Sequence, residues 1–173
     1  FDSFLTLRGV RTLFARMRVH EENAHAVAHA LEQHSGVLSV HYPGLRSHAG
    51  HGIAAGQQAG FGAMVSFTLR GGRDAVEAFT SELACFTLAE SLGGVESLVA
   101  HPATMTHASM DAEARRTAGI TDGLLRLSVG IEAADDLVDD LLRALDACGA
   151  AAQLASTSQR EKQRNPNSRA ARA

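Results

Sequence analysis

The stretch Ala89-Glu90-Ser91-Leu92-Gly93-Gly94-Val95-Glu96-Ser97-Leu98 contains a polar turn with two adjacent glycines. After His101-Pro102-Ala103-Thr104-Met105-Thr106-His107 comes the segment Leu124-Leu125-Arg126-Leu127-Ser128-Val129-Gly130-Ile131-Glu132, in which a lone arginine interrupts an apolar strand. Because glycine has no side chain, the backbone of such a turn can approach a ligand closely and expose its amide groups. The arginine guanidinium is a fork of donors that matches a carboxylate. Together the turn and the arginine predict a site for a small carboxylate.

Arg126 is the residue on which this prediction depends most. Alternation along a strand over residues 124–129 places Leu125 and Leu127 on one face and Arg126 on the other. A guanidinium in that position calls for an anionic partner, and a substrate carboxylate is a natural one. An internal salt bridge and the exposed face of an edge strand are the alternatives, which the residues alone leave open.

Two residues of the glycine-rich turn complete the candidate site. Ser91 stands directly before Leu92-Gly93-Gly94, and its simpler interpretation is an ordinary tight turn. Glu90 precedes it, and a plain surface glutamate is the alternative there.

The nine histidines raise the question of a metal site, above all His48 and His51 with His41 upstream. Two imidazoles three residues apart can share a helix face, but no nearby Asp, Glu or Cys completes a ligand set. We therefore predict no metal. His101 and His107 flank the Pro102 loop, and we expect them to hold its geometry through hydrogen bonds.

Composition limits the class of protein. The chain has 173 residues, 45% of them hydrophobic, and a net charge of −3, which fits one globular domain and attracts neither nucleic acid nor anionic lipid. No apolar run reaches the roughly 20 residues that span a bilayer, and no signal peptide is recognisable, so we expect a cytoplasmic protein. Cys85 and Cys148 are expected to be packed free thiols rather than a disulfide.

The periodicity of apolar residues predicts helices alternating with short strands. Residues 3–33 form either one very long helix or two in tandem, and a single helix would extend about 45 Å, more than such a domain spans. Its early part is therefore expected to pack on something that this chain does not contain. The remaining predicted segments are a strand from 37, a helix over 48–58, a strand over 64–69, a helix over 74–81, a strand over 85–88, a helix over 111–117, a strand over 124–129 and a helix over 134–147 ended by Gly149.

The short, amphipathic strands favour an α+β fold, with a small, mainly antiparallel sheet covered by helices on one face. Residues 34–149 are predicted to form the domain, preceded by the long helical segment 1–33. Residues 150–173 carry almost no large apolar side chain and are predicted to be a disordered tail. The basic residues of this tail have no interleaved aromatic residue for stacking on bases, so a solvated end is expected rather than a nucleic-acid contact.

These motifs occur in the same order in a known family. Together with Leu7-Arg8-Gly9-Val10-Arg11-Thr12-Leu13, Tyr42-Pro43-Gly44-Leu45 and Gly60-Phe61-Gly62-Ala63-Met64, they resemble the C-terminal domain of the trans-sulfuration family of pyridoxal-phosphate enzymes, the cystathionine synthases and lyases. The resemblance runs from about residue 2 to about residue 147. It implies the C-terminal domain of a fold-type I enzyme, in which residues 1–33 form the helix that links it to a large domain.

The resemblance also implies roles for the candidate residues. Arg126 matches the family's carboxylate anchor, and Ser91 lies beside the substrate carboxylate near the cofactor-bearing lysine. Glu90 matches a glutamate common in members that act at the γ-carbon, where β-lyases tend to carry an aromatic residue. The implied reaction is elimination or replacement on homoserine esters or cystathionine, of the cystathionine γ-synthase or γ-lyase type, in a homotetramer.

The family's cofactor site does not match any part of this chain. The only lysine is Lys162, in the predicted tail, where nothing would lower the pKa of its amine. By resemblance, pyridoxal phosphate is bound mainly by a large domain that precedes the matching segment. The chain, which starts at Phe1, is thus expected to be a fragment or a truncated product, inactive alone. The alternative is a catalytically inactive remnant that serves as an oligomerisation or binding module.

Overall fold

The computed structural model describes the backbone of residues 1–164 and the side chains of residues 1–149. Helices and strands alternate along most of the chain, as the periodicity predicts. Their bounds are α1 (Asp2–Val10), α2 (Leu13–Gln33), β1 (Val37–His41), α3 (His51–Gln57), β2 (Met64–Leu69), α4 (Gly72–Glu82), β3 (Thr87–Leu88), β4 (Leu98–Ala100), α5 (Ala112–Thr117), β5 (Leu124–Ser128) and α6 (Ala134–Arg164).

The strands form one five-stranded sheet in the order β1-β2-β5-β4-β3. Every neighbouring pair is antiparallel except β3 and β4, which are parallel. This confirms the predicted α+β class. The periodicity does not predict β4, because a strand of three residues, all of them buried, is too short to show alternation.

The hydrophobic core lies between one face of the sheet and helices α2, α4 and α6. On β2 the side chains of Val65, Phe67 and Leu69 are buried, and the residues between them are more exposed. Phe67 meets Phe79 of α4 edge to face, with ring centroids 5.8 Å apart. The period of two along β2 therefore has a direct cause, since only alternate residues can reach the helices.

The N-terminal helical segment is two helices in tandem, the second of the two alternatives. The interruption follows Gly9, a poor helix former, and is reinforced by side chains. The Gly9 carbonyl oxygen accepts hydrogen bonds from the Thr12 amide, the Thr12 hydroxyl and the Arg16 guanidinium. These bonds replace the regular ladder at the start of α2.

The last helix is longer than predicted. Gly149 was expected to end it, but α6 continues to Arg164. That expectation is wrong because the residues after Gly149 are mostly good helix formers, and one internal glycine costs only about 1 kcal/mol. Residues 150–164 thus belong to α6 and not to a disordered tail. For residues 165–173 the tail stays a prediction, because they lie outside the described part of the chain. None of the described helices is long and apolar enough to cross a bilayer.

Candidate carboxylate-binding site

Arg126 occupies the middle of β5, which is an inner strand of the sheet rather than an edge strand. It pairs with Ser66 of β2 on one side and with Ala100 of β4 on the other. Its neighbours Leu125 and Leu127 are fully buried against the helices, so Arg126 projects from the opposite face, where it is half-buried. The edge-strand alternative is thereby excluded.

The guanidinium of Arg126 contacts the backbone of the glycine-rich turn. Its Nη2 donates hydrogen bonds to the carbonyl oxygens of Glu90, at 3.1 Å, and Ser91, at 3.3 Å. Its Nε is buried and has no hydrogen-bond partner among the described residues. A buried donor left unpaired costs about 1–3 kcal/mol, so this Nε–H is a donor suited to an anionic guest. No described carboxylate forms an ion pair with this guanidinium, which leaves the internal salt bridge without support.

The three predicted site residues are thus close together, but the contacts are made by main-chain atoms. The side chains of Glu90 and Ser91 are exposed, and neither makes a hydrogen bond within the described part of the chain. Gly93 adopts a φ of 78°, a left-handed conformation that favours glycine. Its amide donates to the Ser128 hydroxyl at 2.8 Å, so β5 holds the turn at a second point.

Three polar side chains near the turn have no strong sequence signal. Ser128 is buried and shares the Arg126 face of β5, as strand alternation predicts, but nothing in the sequence indicates its bond to the turn. Ser97 and Glu132 hydrogen-bond to each other although they are 35 residues apart. Their pairing depends on the fold, and no spacing in the sequence announces it.

Two histidine side chains make hydrogen bonds in the loop after β4. His101 is buried, and its ring bonds the Thr104 hydroxyl at 2.8 Å and the Asp122 carbonyl oxygen at 3.1 Å. His107 bonds the Thr106 hydroxyl at 2.8 Å. The expected role in loop geometry is confirmed for His101, which joins two separate segments. For His107 it stays a prediction, because its bond reaches only the adjacent residue.

The histidines considered for a metal site make local hydrogen bonds. Nδ1 of His48 accepts from the Gly50 amide, and Nδ1 of His51 donates to the Pro43 carbonyl oxygen. Within residues 1–149 no three His, Cys, Asp or Glu side chains are grouped closely enough to hold a metal. Cys85 and Cys148 are half-buried free thiols, and burial raises the pKa of both.

Asp140 of α6 has a structural role in the segment before β3. Its carboxylate accepts hydrogen bonds from the amides of Ala84, Cys85 and Phe86 at 2.8–3.2 Å, and it pairs with Arg143. Burial alone would raise the pKa of this carboxyl, but the three amides and the guanidinium outweigh burial and lower it. The chain entering β3 is thereby fixed to α6.

Comparison with known proteins gives consistent relatives. Residues 1–146 match the family model described as Cys/Met metabolism PLP-dependent enzyme. The chain is 51% identical to a cystathionine gamma-lyase of Dictyostelium discoideum over 148 residues, which are 86% of this chain and 38% of that protein. It is 53% identical to a cystathionine gamma-synthase of Escherichia coli over 82% of this chain and 36% of that protein. A cystathionine beta-lyase of Lactococcus lactis is also 53% identical, over 84% of this chain and 38% of that protein.

The solved structures agree. The crystal structure of cystathionine gamma synthase from Xanthomonas oryzae pv. oryzae, in complex with aminoacrylate and cysteine, superposes with a TM-score of 0.84 at 64% sequence identity. The match covers 87% of this chain and 39% of that one. The chain therefore spans somewhat over a third of the length of the relatives it matches. With nearly all of its described residues inside the family match, the chain belongs to the Cys/Met metabolism PLP-dependent enzyme family.

Proposed function

We propose that this chain binds the α-carboxylate of an amino-acid substrate, through Arg126, in a PLP-dependent trans-sulfuration enzyme. The observation that carries the proposal is the buried, unpaired Nε–H of Arg126 beside the exposed turn 90–94. A carboxylate that approaches Nε would bind a guanidinium whose orientation is already fixed by the contacts of Nη2 with the turn. Such preorganised, charge-assisted hydrogen bonds favour one planar anion.

The described residues do not fit a covalent role toward the cofactor. Pyridoxal phosphate acts as an electron sink and is held in such enzymes by a lysine amine. Residues 1–149 contain no lysine, and the side chain of Lys162 lies outside the described residues. The proposed contribution of this part of the chain is therefore substrate binding, with the cofactor bound mainly by another domain. A homotetramer, as the family resemblance implies, and a location in the cytoplasm complete the proposal.

Glu90 supports a reaction at the γ-carbon. The relatives named as γ-lyase, γ-synthase and β-lyase are all 51–53% identical, so overall identity does not separate the three activities. The resemblance associates a glutamate at this position with γ-elimination or γ-replacement on cystathionine or homoserine esters. The exposed carboxylate of Glu90 stands next to the Arg126 contact and is suited to accept a hydrogen bond from an incoming amino group.

One observation favours a second candidate function, an oligomerisation or binding module. Helix α1 has no buried residue, and Phe4, Leu7 and Phe14 are at least 60% exposed. An apolar face of this size suits a protein contact whether or not the chain takes part in catalysis.

Substitution of Arg126 tests the proposed function. In the enzyme that carries this segment, Arg126→Ala should lower kcat/KM for cystathionine by an amount equivalent to about 2–5 kcal/mol, because one partner of a charge pair is lost. Arg126→Lys keeps the charge without the fork and should recover only part of the loss. The absorbance spectrum of the bound cofactor should not change. Steady-state kinetics and that spectrum are the measurements.

Arg46→Ala is the matched control, because Arg46 is exposed and makes no hydrogen bond within the described residues. It should leave kcat/KM unchanged. If Arg126→Ala behaves like Arg46→Ala, the site assignment is wrong and the binding-module function is favoured.

A further inference from the structure

We propose that Glu132 is a positioning residue that holds the loop 89–97 over β5 and thereby keeps the turn in contact with Arg126. The inference rests on the proposed function in one respect, namely that the turn and Arg126 form the carboxylate site. The contacts that carry the inference are independent of any ligand.

The carboxylate of Glu132 closes the C-terminal end of the loop. One oxygen accepts the Ser97 amide at 2.7 Å and the other accepts the Ser97 hydroxyl at 2.8 Å. The same hydroxyl oxygen accepts the Gly130 amide at 2.8 Å. Ser97 is fully buried, so its amide would lack a partner if the carboxylate were removed. Glu132 therefore fixes the position of Ser97 against the end of β5.

The segment that carries Glu132 is itself held from the opposite side. Asn23 of α2 is buried, and its amide donates to the carbonyl oxygens of Gly130, at 3.1 Å, and Glu132, at 2.8 Å. His20, one turn earlier, donates from Nδ1 to the Val129 carbonyl oxygen at 2.7 Å. The backbone of residues 129–132 is thus fixed to α2. Glu132 in turn holds the loop through its hydrogen bonds with Ser97.

Loop and strand end are also in close contact along their backbones. The Ile131 amide donates to the Val95 carbonyl oxygen at 2.9 Å. A Cβ added to Gly130 would lie 2.7 Å from the carbonyl carbon of Glu96, so only glycine permits this approach. The loop is therefore held near its start by Arg126 and Ser128, and at its end by Glu132.

This arrangement assigns Glu132 a structural effect that reaches the carboxylate site. The carboxylate is engaged with Ser97, so it is not placed to exchange protons with a substrate. Loss of Glu132 would weaken the attachment of one end of the loop, leaving the Gly130–Ser97 and Ile131–Val95 hydrogen bonds, while the other end contacts the Arg126 guanidinium. A purely local role would disturb Ser97 alone, whereas a positioning role also changes Gly93 and Arg126.

Amide hydrogen exchange and a ligand titration by NMR of the 173-residue chain test the proposal. In Glu132→Gln the amides of Ser97 and Gly93 should exchange about tenfold faster, and the Leu127 amide in the sheet should not change. With L-cystathionine as the probe, the apparent Kd read from the Arg126 Nε–H resonance should rise about threefold to tenfold. Glu132→Ala should show larger effects, because glutamine keeps one acceptor oxygen for the Ser97 amide.

Glu96→Gln is the matched control, since Glu96 is exposed in the same loop and the substitution removes the same charge. It should leave exchange and affinity unchanged. Faster exchange at Ser97 alone, with Gly93 and Arg126 unaffected, would overturn the positioning role. If cystathionine fails to shift the Arg126 resonance even in the unmodified chain, carboxylate binding by this segment alone is refuted, and exchange at Gly93 still decides the role of Glu132.

Discussion

At the scale of single residues, buried and half-buried polar side chains bind backbone groups that would otherwise lack partners. Asp140 satisfies three amides before β3, Glu132 satisfies the Ser97 amide, and Asn23 donates to two carbonyl oxygens. A buried backbone group without a hydrogen-bond partner costs free energy. Each of these side chains therefore stabilises an irregular segment whose backbone groups have no partner in a strand or helix. The one exception within the described side chains is Nε of Arg126, which is also the proposed site.

Asp140→Asn should destabilise the fold and change its pH dependence. An amide oxygen replaces only part of the carboxylate's bonding, so we expect a loss of about 1–3 kcal/mol in the free energy of unfolding at neutral pH. The pKa of Asp140 is lower in the folded state than the ordinary aspartate value of 3.8. The folded state therefore releases the proton more readily, and the stabilisation is present above pH 3.8 and lost as the pH falls through the folded pKa.

Urea unfolding of Asp140→Asn and of the unmodified chain, between pH 7 and pH 2.5, measures the difference between their free energies of unfolding. Asp139→Asn is the control, because Asp139 is an exposed neighbour on the same helix and should change stability little at any pH. A difference between Asp140→Asn and the unmodified chain that stays constant down to pH 2.5 would contradict the argument.

At the scale of elements, prediction from sequence succeeded where one periodic pattern decided the structure. Strand β2 lies within its predicted bounds and β5 ends one residue early, because each buries alternate residues against helices. The pattern could not reveal β4, whose residues are all buried, or the continuation of α6 beyond Gly149. Arg126 stood out as a charge within an apolar strand, but Glu132 could not, because its partner Ser97 comes close only in the folded chain.

The one-sided packing of the sheet can be tested on a single strand. Phe67→Ala should cost about 3–5 kcal/mol in the free energy of unfolding, because it opens a cavity between β2 and α4. Met64→Ala on the same strand should cost much less, since Met64 is 37% exposed. Denaturant unfolding of the two variants compares them directly. Similar losses in both would show that the two faces of β2 are equally packed.

At the scale of the whole molecule, apolar surface is distributed unevenly. The apolar side chains between the sheet and helices α2, α4 and α6 are buried. Helix α1 and the first turns of α2, in contrast, leave large apolar side chains exposed. The family match begins at residue 1 and therefore includes this exposed segment. The chain spans only 36–39% of the relatives it matches, and we propose that α1 contacts a protein surface outside the core described here.

We expect the isolated chain to associate with itself through this segment. Phe4, Leu7 and Phe14 are 60%, 68% and 77% exposed, and burying each such side chain is worth about 1.5–3 kcal/mol. Sedimentation should show a mass that rises with concentration, and replacing these three residues with serine should shift the chain toward monomer. Ile53→Ser is the control, because Ile53 is 66% exposed on α3, outside the segment, and should leave association unchanged. A monomer at high concentration in the unmodified chain would show that the exposed face does not attract a second copy.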